Sequence, residues 1–497
     1  MERDWDVIIV GAGTAGMPVA IHAEHRGARV LVIEHADRIG GTLHVSGGQM
    51  AAAGTRAQAD QGIDDSPDDH YDDIMRISKG GANPKLARLA VDGAAESLHW
   101  LLDHGFEMTP GHPVLMFGHE AYSTPRTYWG VETGISVLNA IQPLFEAKIN
   151  KGGVTLRLET EVVGLAQNDD KAVTGIFVRN KDGTREEISG ANVVLTTGGY
   201  AANEELFPQY SDGFPLFGGM AIEQSQGTGI EIALAAGAEL WGTDSFMPTF
   251  AGIQSLDDPK KFALATMTTP QLRQPWEIYV TREGRRFVAE DNPSVDEREH
   301  ALRKIPDLTF WAVYDAAIAR EAPPFLVDVD AAHLDDSGTG AVTRPGEGFE
   351  KAFDNPDLEG FVRADTLPEL AKITGIDDAG LLASVKEYNA AVASGSDPLG
   401  RTHLPRALAS PPYFAIRHHG ISVVSFAGLA IDEQLRVLAK DAKPIPNLYA
   451  AGEILGKSLL SGRSFVGGMS LLPSITFARI IGQSSLQWAG MKRTAAE

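Results

Sequence analysis

The apolar positions open without a polar interruption: Val7, Ile8, Ile9 and Val10 form a continuous β-branched run after Asp6. The lack of alternation predicts a strand buried on both faces of a parallel sheet. The turn Gly11-Ala12-Gly13-Thr14-Ala15-Gly16 follows directly. Residues 17–26 suit a helix that Gly27 ends, and residues 28–33 repeat the buried-strand pattern before Glu34. Together they predict a complete strand–turn–helix–strand unit. Alternating strand-like and helix-like segments continue to about residue 244, with a further strand pair expected near 154–158 and 173–178.

The pattern changes after Thr243. From Phe246 to about Leu367 the segments shorten and carry Pro, Asp and aromatic residues. Residues 277–290 read as a hairpin turning at Glu283-Gly284, and residues 367–391 read as a helical stretch leading back to the first domain. The predicted class is therefore α/β, with a Rossmann-type domain (residues 1–244 and 368–497) interrupted by an α+β capping insertion (residues 245–367). No repeat, low-complexity tract or disordered linker is visible.

The glycine turn carries chemistry. Gly11 permits the sharp turn, Gly13 lets backbone approach a pyrophosphate, and Gly16 lets the helix pack closely on the strand. The helix start offers unpaired N–H groups and the positive end of the helix dipole. Glu34 stands where a carboxylate binds ribose hydroxyls. In this context the turn predicts nucleotide binding, which a bare GxGxxG would not.

Composition narrows the partners. The 497 residues are too many for one core, and 43% of them are hydrophobic, which fills two. The chain has no cysteine, which excludes disulfides, thiolate nucleophiles, Cys-ligated iron–sulfur clusters and attached c-type haem, so a redox cofactor must be organic. The net charge of -23, from 66 acidic and 43 basic residues, argues against nucleic acid. No run approaches the roughly 20 apolar residues of a membrane span. The charged Met1–Trp5 start lacks secretory character, so a cytoplasmic location is expected. His418-His419 has no acidic residue at ligand spacing, and no metal is expected.

The continuation identifies the nucleotide. Gly40-Gly41-Thr42 and Ser46-Gly47-Gly48 through Thr55 resemble the segment that wraps FAD in the flavoprotein family of fumarate reductase, succinate dehydrogenase and 3-ketosteroid dehydrogenase. Thr196-Thr197-Gly198-Gly199, Gly227–Gly237, Leu448–Glu453 and Gly467-Gly468-Met469-Ser470-Leu471 resemble later family segments in the same order, so the resemblance spans nearly the whole chain. It implies FAD held by Gly11, Gly13, Thr14, Ala15, Gly16, Glu34 and His35. Gly40, Gly41, Thr42, Ser46, Gly47 and Gly48 would continue the cradle. Val162, Thr197, Gly198, Gly199, Gly452, Glu453, Gly468, Ser470 and Leu471 would complete it. A helix starting near Ser470 would aim N–H groups at the electron-rich N1–C2=O edge of the flavin. His44 is too close to Gly47-Gly48 to match the histidine that carries covalent FAD in some relatives, so non-covalent FAD is expected.

The family exchanges hydride with carbon in both directions. Its fumarate-type sites clamp carboxylates with histidines and arginines. Here Met247 stands for the first histidine, Ser294 for the proton-donating arginine and Val424 for the second histidine; of the clamp, only Arg463 matches. Arg273 lies near a proton-relay arginine of the fumarate reductases, without its companion acid. A dicarboxylate against Met and Val would leave unpaired charge. The resemblance therefore leans to the ketosteroid side. There a base takes the α-proton, a donor pair steadies the enolate oxygen and flavin N5 takes the β-hydride.

Tyr122 and Tyr128 lie where that group carries an active-site tyrosine. Gly468 matches the glycine whose N–H holds the carbonyl oxygen, and Arg463 is a candidate to polarise it. The tyrosine four residues before that glycine is Ser464 here, which leaves a smaller ketone as open as a steroid. Tyr279 is a further candidate if it faces the cleft. The expected function is an FAD-dependent desaturase acting α,β to the carbonyl of a small apolar cyclic ketone or steroid-like substrate. An enone or enoate reductase running the step in reverse is the alternative, and a redox-inert FAD module a third reading. No second Gly-rich nicotinamide motif is visible, so oxygen, a quinone or an electron carrier is the expected external electron acceptor.

Overall fold

The computed structural model describes residues 3–116, 118–217, 221–254, 262–263, 268–323, 349–489 and 491. Its first sheet has eight strands. Trp5–Val10 lies in the middle, parallel to Val30–Ile33 on one side and to Arg185–Leu195 on the other. Val154–Arg157 extends the sheet beyond Val30–Ile33, and Pro444–Ala450 extends it beyond Arg185–Leu195. Val7, Ile8, Ile9 and the Val30–Ile33 run are essentially inaccessible, as an unalternating apolar run requires. The expected pair near residues 154 and 173 does not form. Val154–Arg157 joins the parallel layer, whereas Val173–Arg179 pairs antiparallel with Glu161–Gln167 and with the first half of Arg185–Leu195. Both segments are strands, but periodicity carries no information about partners.

A second, antiparallel sheet of six strands is built around Tyr413–Ile421, which pairs with Thr249–Gln254, Thr309–Asp315 and Phe361–Ala364. The Glu277–Glu290 hairpin turns as its sequence predicts: Thr281 N–H donates to the Arg285 carbonyl at 2.9 Å, and Gly284 takes a φ of 70°. Residues 324–348 of the expected insertion lie outside the described residues.

The expected return to the first domain at residue 368 is corrected by the packing. Helices Leu367–Thr374 and Asp378–Ser394 bury Leu370, Leu381, Val385 and Tyr388 in the second core together with Ala415 and Ile416. Residues 368–421 thus stay with the second sheet. Long-range pairing of Tyr413–Ile421 with Thr309–Asp315 decides this, and no local signal announces it.

Two structural ties bring the sheets together where the site lies. The loop at Glu120 bridges to Val466 on the first-domain side. The Glu120 carboxylate also accepts from Ser294 Oγ at 2.9 Å and Asp296 N–H at 3.1 Å, at the start of helix Val295–Arg303 on the other. No helix among the described residues is long and apolar enough to cross a membrane.

Candidate active site

A cleft of about 670 Å³ runs along the C-terminal ends of the parallel strands, where ligands bind in open α/β sheets. Gly11, Gly13, Thr14 and Ala15 line it at the first turn, with Glu34 and His35 at the end of the second strand. Glu34 braces that corner, accepting from Ala12 N–H at 2.7 Å and Ala36 N–H at 2.8 Å. Gly41, Thr42, Ser46, Val162, Thr197 and Gly198 continue the wall, and Gly452, Glu453, Ser470 and Leu471 complete it.

The remaining expected glycines shape the cleft from behind. A Cβ on Gly16 would strike the Gly11 carbonyl, and one on Gly48 would sit 2.8 Å from Gly134 N. Gly199 makes room for Ser425, Gly40 for the His44 ring, and Gly47 has open space around it. None of these five lines the cleft.

FAD fits this lining. A Cβ on Gly13 would meet nothing closer than Gly41 Cα at 3.9 Å, so the space in front of that turn is open to a ligand. The buried Thr197 hydroxyl on the wall has no hydrogen-bond partner. Burial raises the carboxyl of the half-buried Glu453; Ser425 N–H and Oγ each donate to it at 3.0 Å. The turns at Gly11 and Gly452 have φ values of 103° and 93°, which only glycine adopts without strain.

Three of the four expected catalytic residues converge around the short strand Met50–Ala51. Tyr128 lies opposite Met50, and its hydroxyl meets Thr55 Oγ1 at 2.5 Å. The Tyr122 hydroxyl donates to the Gly467 carbonyl. Gly468, with φ 70°, backs onto Ala51, where a Cβ would come within 2.6 Å of the alanine Cβ. Burial pushes both phenols above the ordinary tyrosine range, against the partial counter-effect of Arg126 at Tyr122 and of the Thr55 hydrogen bond at Tyr128. Both are therefore protonated donors at neutral pH.

Arg463 does not join them, which corrects its expected place. Its side chain is 61% exposed and pairs with the equally exposed Asp244 at the surface. The ring nearest this turn is His119, beside Gly467, with Phe465 stacked on it at a centroid distance of 3.8 Å. Tyr279 also lies elsewhere, in a separate apolar cluster with its hydroxyl on Glu277 at 3.2 Å. Arg273 has an acid after all, a bidentate pair with Glu277 at 2.9 Å. His418 and His419 stack on Phe310 and Phe217, and the described residues hold no cluster of three metal-binding groups.

Several residues near the site carry no sequence signal. His119 is half-buried and neutral, its pKa lowered to about 3 by burial and by nearby Lys457. Lys457 lines the cleft, 5% exposed. Arg126 is fully buried, bonded to Asp65 at 2.7 Å and Asp73 at 3.1 Å, with its guanidinium 5.2 Å from the Tyr122 ring centre. Arg298 is buried beside Phe250 with its Nε unpartnered. An isolated Lys or Arg in a polar stretch reads as solvated surface, and only the tertiary structure shows that these are buried.

Comparison with known proteins agrees with this geometry. The profile of the family described as FAD binding domain matches residues 6–471. A probable fumarate reductase of Shewanella frigidimarina is 27% identical over 491 residues, covering 97% of this chain and 75% of its own. The structure of 3-ketosteroid-Δ4-(5α)-dehydrogenase from Rhodococcus jostii RHA1, in complex with 4-androstene-3,17-dione, superposes with a TM-score of 0.69 at 26% identity and covers 98% of both chains. The fold is also that of 3-ketosteroid Δ1-dehydrogenase from Sterolibacterium denitrificans, with a TM-score of 0.75 at 21% identity and coverage of 97% and 99%. With a glycine-turned cleft, a carboxylate at Glu34 and a family match over nearly its whole length, the chain belongs to the FAD binding domain family and is an FAD-dependent oxidoreductase.

Proposed function

We propose that this enzyme desaturates the α,β position of a neutral, largely apolar carbonyl compound, such as a cyclic ketone or a steroid-like ketone. One observation carries the choice of substrate: Arg463 is turned out to Asp244, and the ring beside Gly467 is a neutral His119 stacked on Phe465. Without Arg463 a dicarboxylate there would lack the arginine clamp, and a carboxylate left without a charged partner costs several kcal/mol. The likeness to a ketosteroid dehydrogenase carrying 4-androstene-3,17-dione supports the same class.

FAD, when bound, accepts hydride at N5. Around it, Gly468 N–H would be the donor that steadies an enolate oxygen, and Tyr122, whose hydroxyl donates to the Gly467 carbonyl of the same peptide, would orient it. Apolar neighbours would exclude water and strengthen that bond. His44 Nε2 is held 2.9 Å from the Ile39 carbonyl, which supports non-covalent attachment of FAD. Electrons would leave to oxygen, a quinone or a carrier.

A second reading, reduction of an enone or enoate, draws support from the buried Arg298, whose unpartnered Nε is a cation available to an acidic substrate or a proton relay. The likeness to a probable fumarate reductase points the same way. Anaerobic absorbance of the yellow holoenzyme separates the two. Bleaching by cyclic ketones or 3-ketosteroids is the expected result. An oxidised flavin unmoved by every ketone, with a pre-reduced enzyme re-oxidised by enones or fumarate, would overturn the proposed direction.

A further inference from the structure

Lys457 occupies an unusual position for an ammonium group. It is 5% exposed, lines the FAD cleft and forms no ion pair among the described residues. Its Nζ donates to the Val466 carbonyl at 2.6 Å and to Ser470 Oγ at 3.2 Å, and it lies 4.4 Å from the centre of the Phe465 ring. These contacts are neutral. The ionisable groups on neighbouring segments do not compensate it: His119 is uncharged, Tyr122 is held protonated by burial, and burial also raises the Glu453 carboxyl, which is engaged by Ser425. Burying an unpaired cation costs several kcal/mol.

The placement suggests what offsets that cost. Ser470 precedes helix Leu471–Ile480, yet its side chain does not cap the helix, because the hydroxyl is taken by Lys457. The N–H groups of Leu471 and Leu472 therefore have no side-chain cap, and the helix dipole adds positive potential at the same end. Amine, hydroxyl and helix start all belong to one corner of the cleft, which lacks any compensating anion of the protein's own.

We propose that Lys457 supplies the counter-charge for the negative charge that two-electron reduction leaves on bound FAD, taking one proton from solvent onto Nζ as the electrons enter. The two electrons come from the reductant, and the N5 hydrogen comes either with the substrate's hydride or, when dithionite is the reductant, as a proton from solvent. The only bond formed at Lys457 is N–H, converting –NH2 to –NH3+. Burial brings the ammonium down to about 7, so both forms are accessible near neutrality. The inference rests on FAD occupying the cleft and is independent of the substrate.

The experiment is a spectroelectrochemical titration of the holoenzyme from pH 6 to pH 9, with sodium sulfite binding measured in parallel. Sulfite adds to the bound ring and leaves the same negative charge. The midpoint potential of the wild type is expected to fall with pH about twice as steeply above pH 7 as below it, because a second proton accompanies the two electrons there. Lys457→Met should show one slope throughout and bind sulfite at least about tenfold more weakly. Lys457→Arg should keep the sulfite affinity and lose the break in slope. A wild type with a single slope over the whole range overturns the proposal, even if the Met variant fails to fold. Unchanged sulfite affinity in a well-folded Lys457→Met overturns it too. Wild-type protein that takes up no FAD overturns both this inference and the cofactor assignment, and the missing flavin band identifies that case.

Discussion

The Tyr122 hydroxyl donates to the carbonyl of Gly467, a residue 345 positions away and next to the glycine expected to hold a substrate carbonyl. The bond ties the loop at residues 118–122 to the Gly-Gly turn and fixes the peptide whose N–H belongs to Gly468. Around it lie the guanidinium of Arg126 and the edge of His70, 5.3 Å from the Tyr122 ring. The surroundings keep the phenol protonated, so its one proton stays on the Gly467 carbonyl and holds that peptide in place.

Tyr122→Phe should reduce kcat/KM by about 10²-fold or more while leaving the FAD content unchanged, the scale of disordering an oxyanion donor. Arg463→Ala should stay within about twofold of wild type, because an exposed ion pair contributes little. Steady-state kinetics on the substrate that bleaches the flavin checks both. A large loss in the Arg463 variant with Tyr122→Phe unaffected would reverse their assignments.

The two inner glycines of the first turn should fail differently. Gly13→Ala has room in the protein itself and should fold, yet bind FAD at least about tenfold more weakly because the methyl enters ligand space. Gly16→Ala drives a methyl into the Gly11 carbonyl and should lower the melting temperature even of the apoprotein. Fluorimetric FAD titration and apoprotein melting distinguish the two defects. Equal melting loss in both would show that Gly13 serves packing.

Removing the Glu34 carboxylate strands two N–H groups, those of Ala12 and Ala36. Glu34→Ala should cost the apoprotein about 1–3 kcal/mol, and FAD affinity should fall as well. Denaturant unfolding with and without FAD measures the two effects. An unchanged apoprotein would mean that water replaces the carboxylate at no cost.

Acid should destabilise the fold before the carboxylates titrate. Burial lowers the pKa of His70 and His119 to about 3 and of His22, His418 and His419 to about 4, against an ordinary 6.5. Below pH 6.5 the unfolded chain binds protons that the folded chain refuses. The stability these groups contribute is fully present above pH 6.5 and is lost as pH falls toward 4. The melting temperature should drop steadily between pH 6.5 and pH 4.5; a flat profile over that interval would show that these rings are solvated.

Local order decided much of what could be read in advance. The unalternating run Val7–Val10 and the repeat ending at Ile33 are buried parallel strands because nothing else accommodates such residues. Gly11 and Gly13 line a cleft, and Gly16 packs behind it, because their backbone demands are local. Arg463 shows the limit. Its position near Gly468 in sequence suggested the site, but the short helix Ser458–Ser461 and the turn at Gly462, with φ 56°, direct it to Asp244.

By itself, then, the sequence determined a dinucleotide-binding strand–turn–helix–strand unit, the FAD cradle along it and an organic redox cofactor. Those depend on residue type, spacing and turn geometry over a few tens of residues. Only the tertiary structure decided that residues 368–421 stay with the second sheet, that Arg463 turns out to Asp244 at the surface, and that Lys457 is buried in the cleft. Burial and strand pairing are set by segments hundreds of residues apart. The charge state and role of a side chain follow from that packing, which its sequence neighbours do not record.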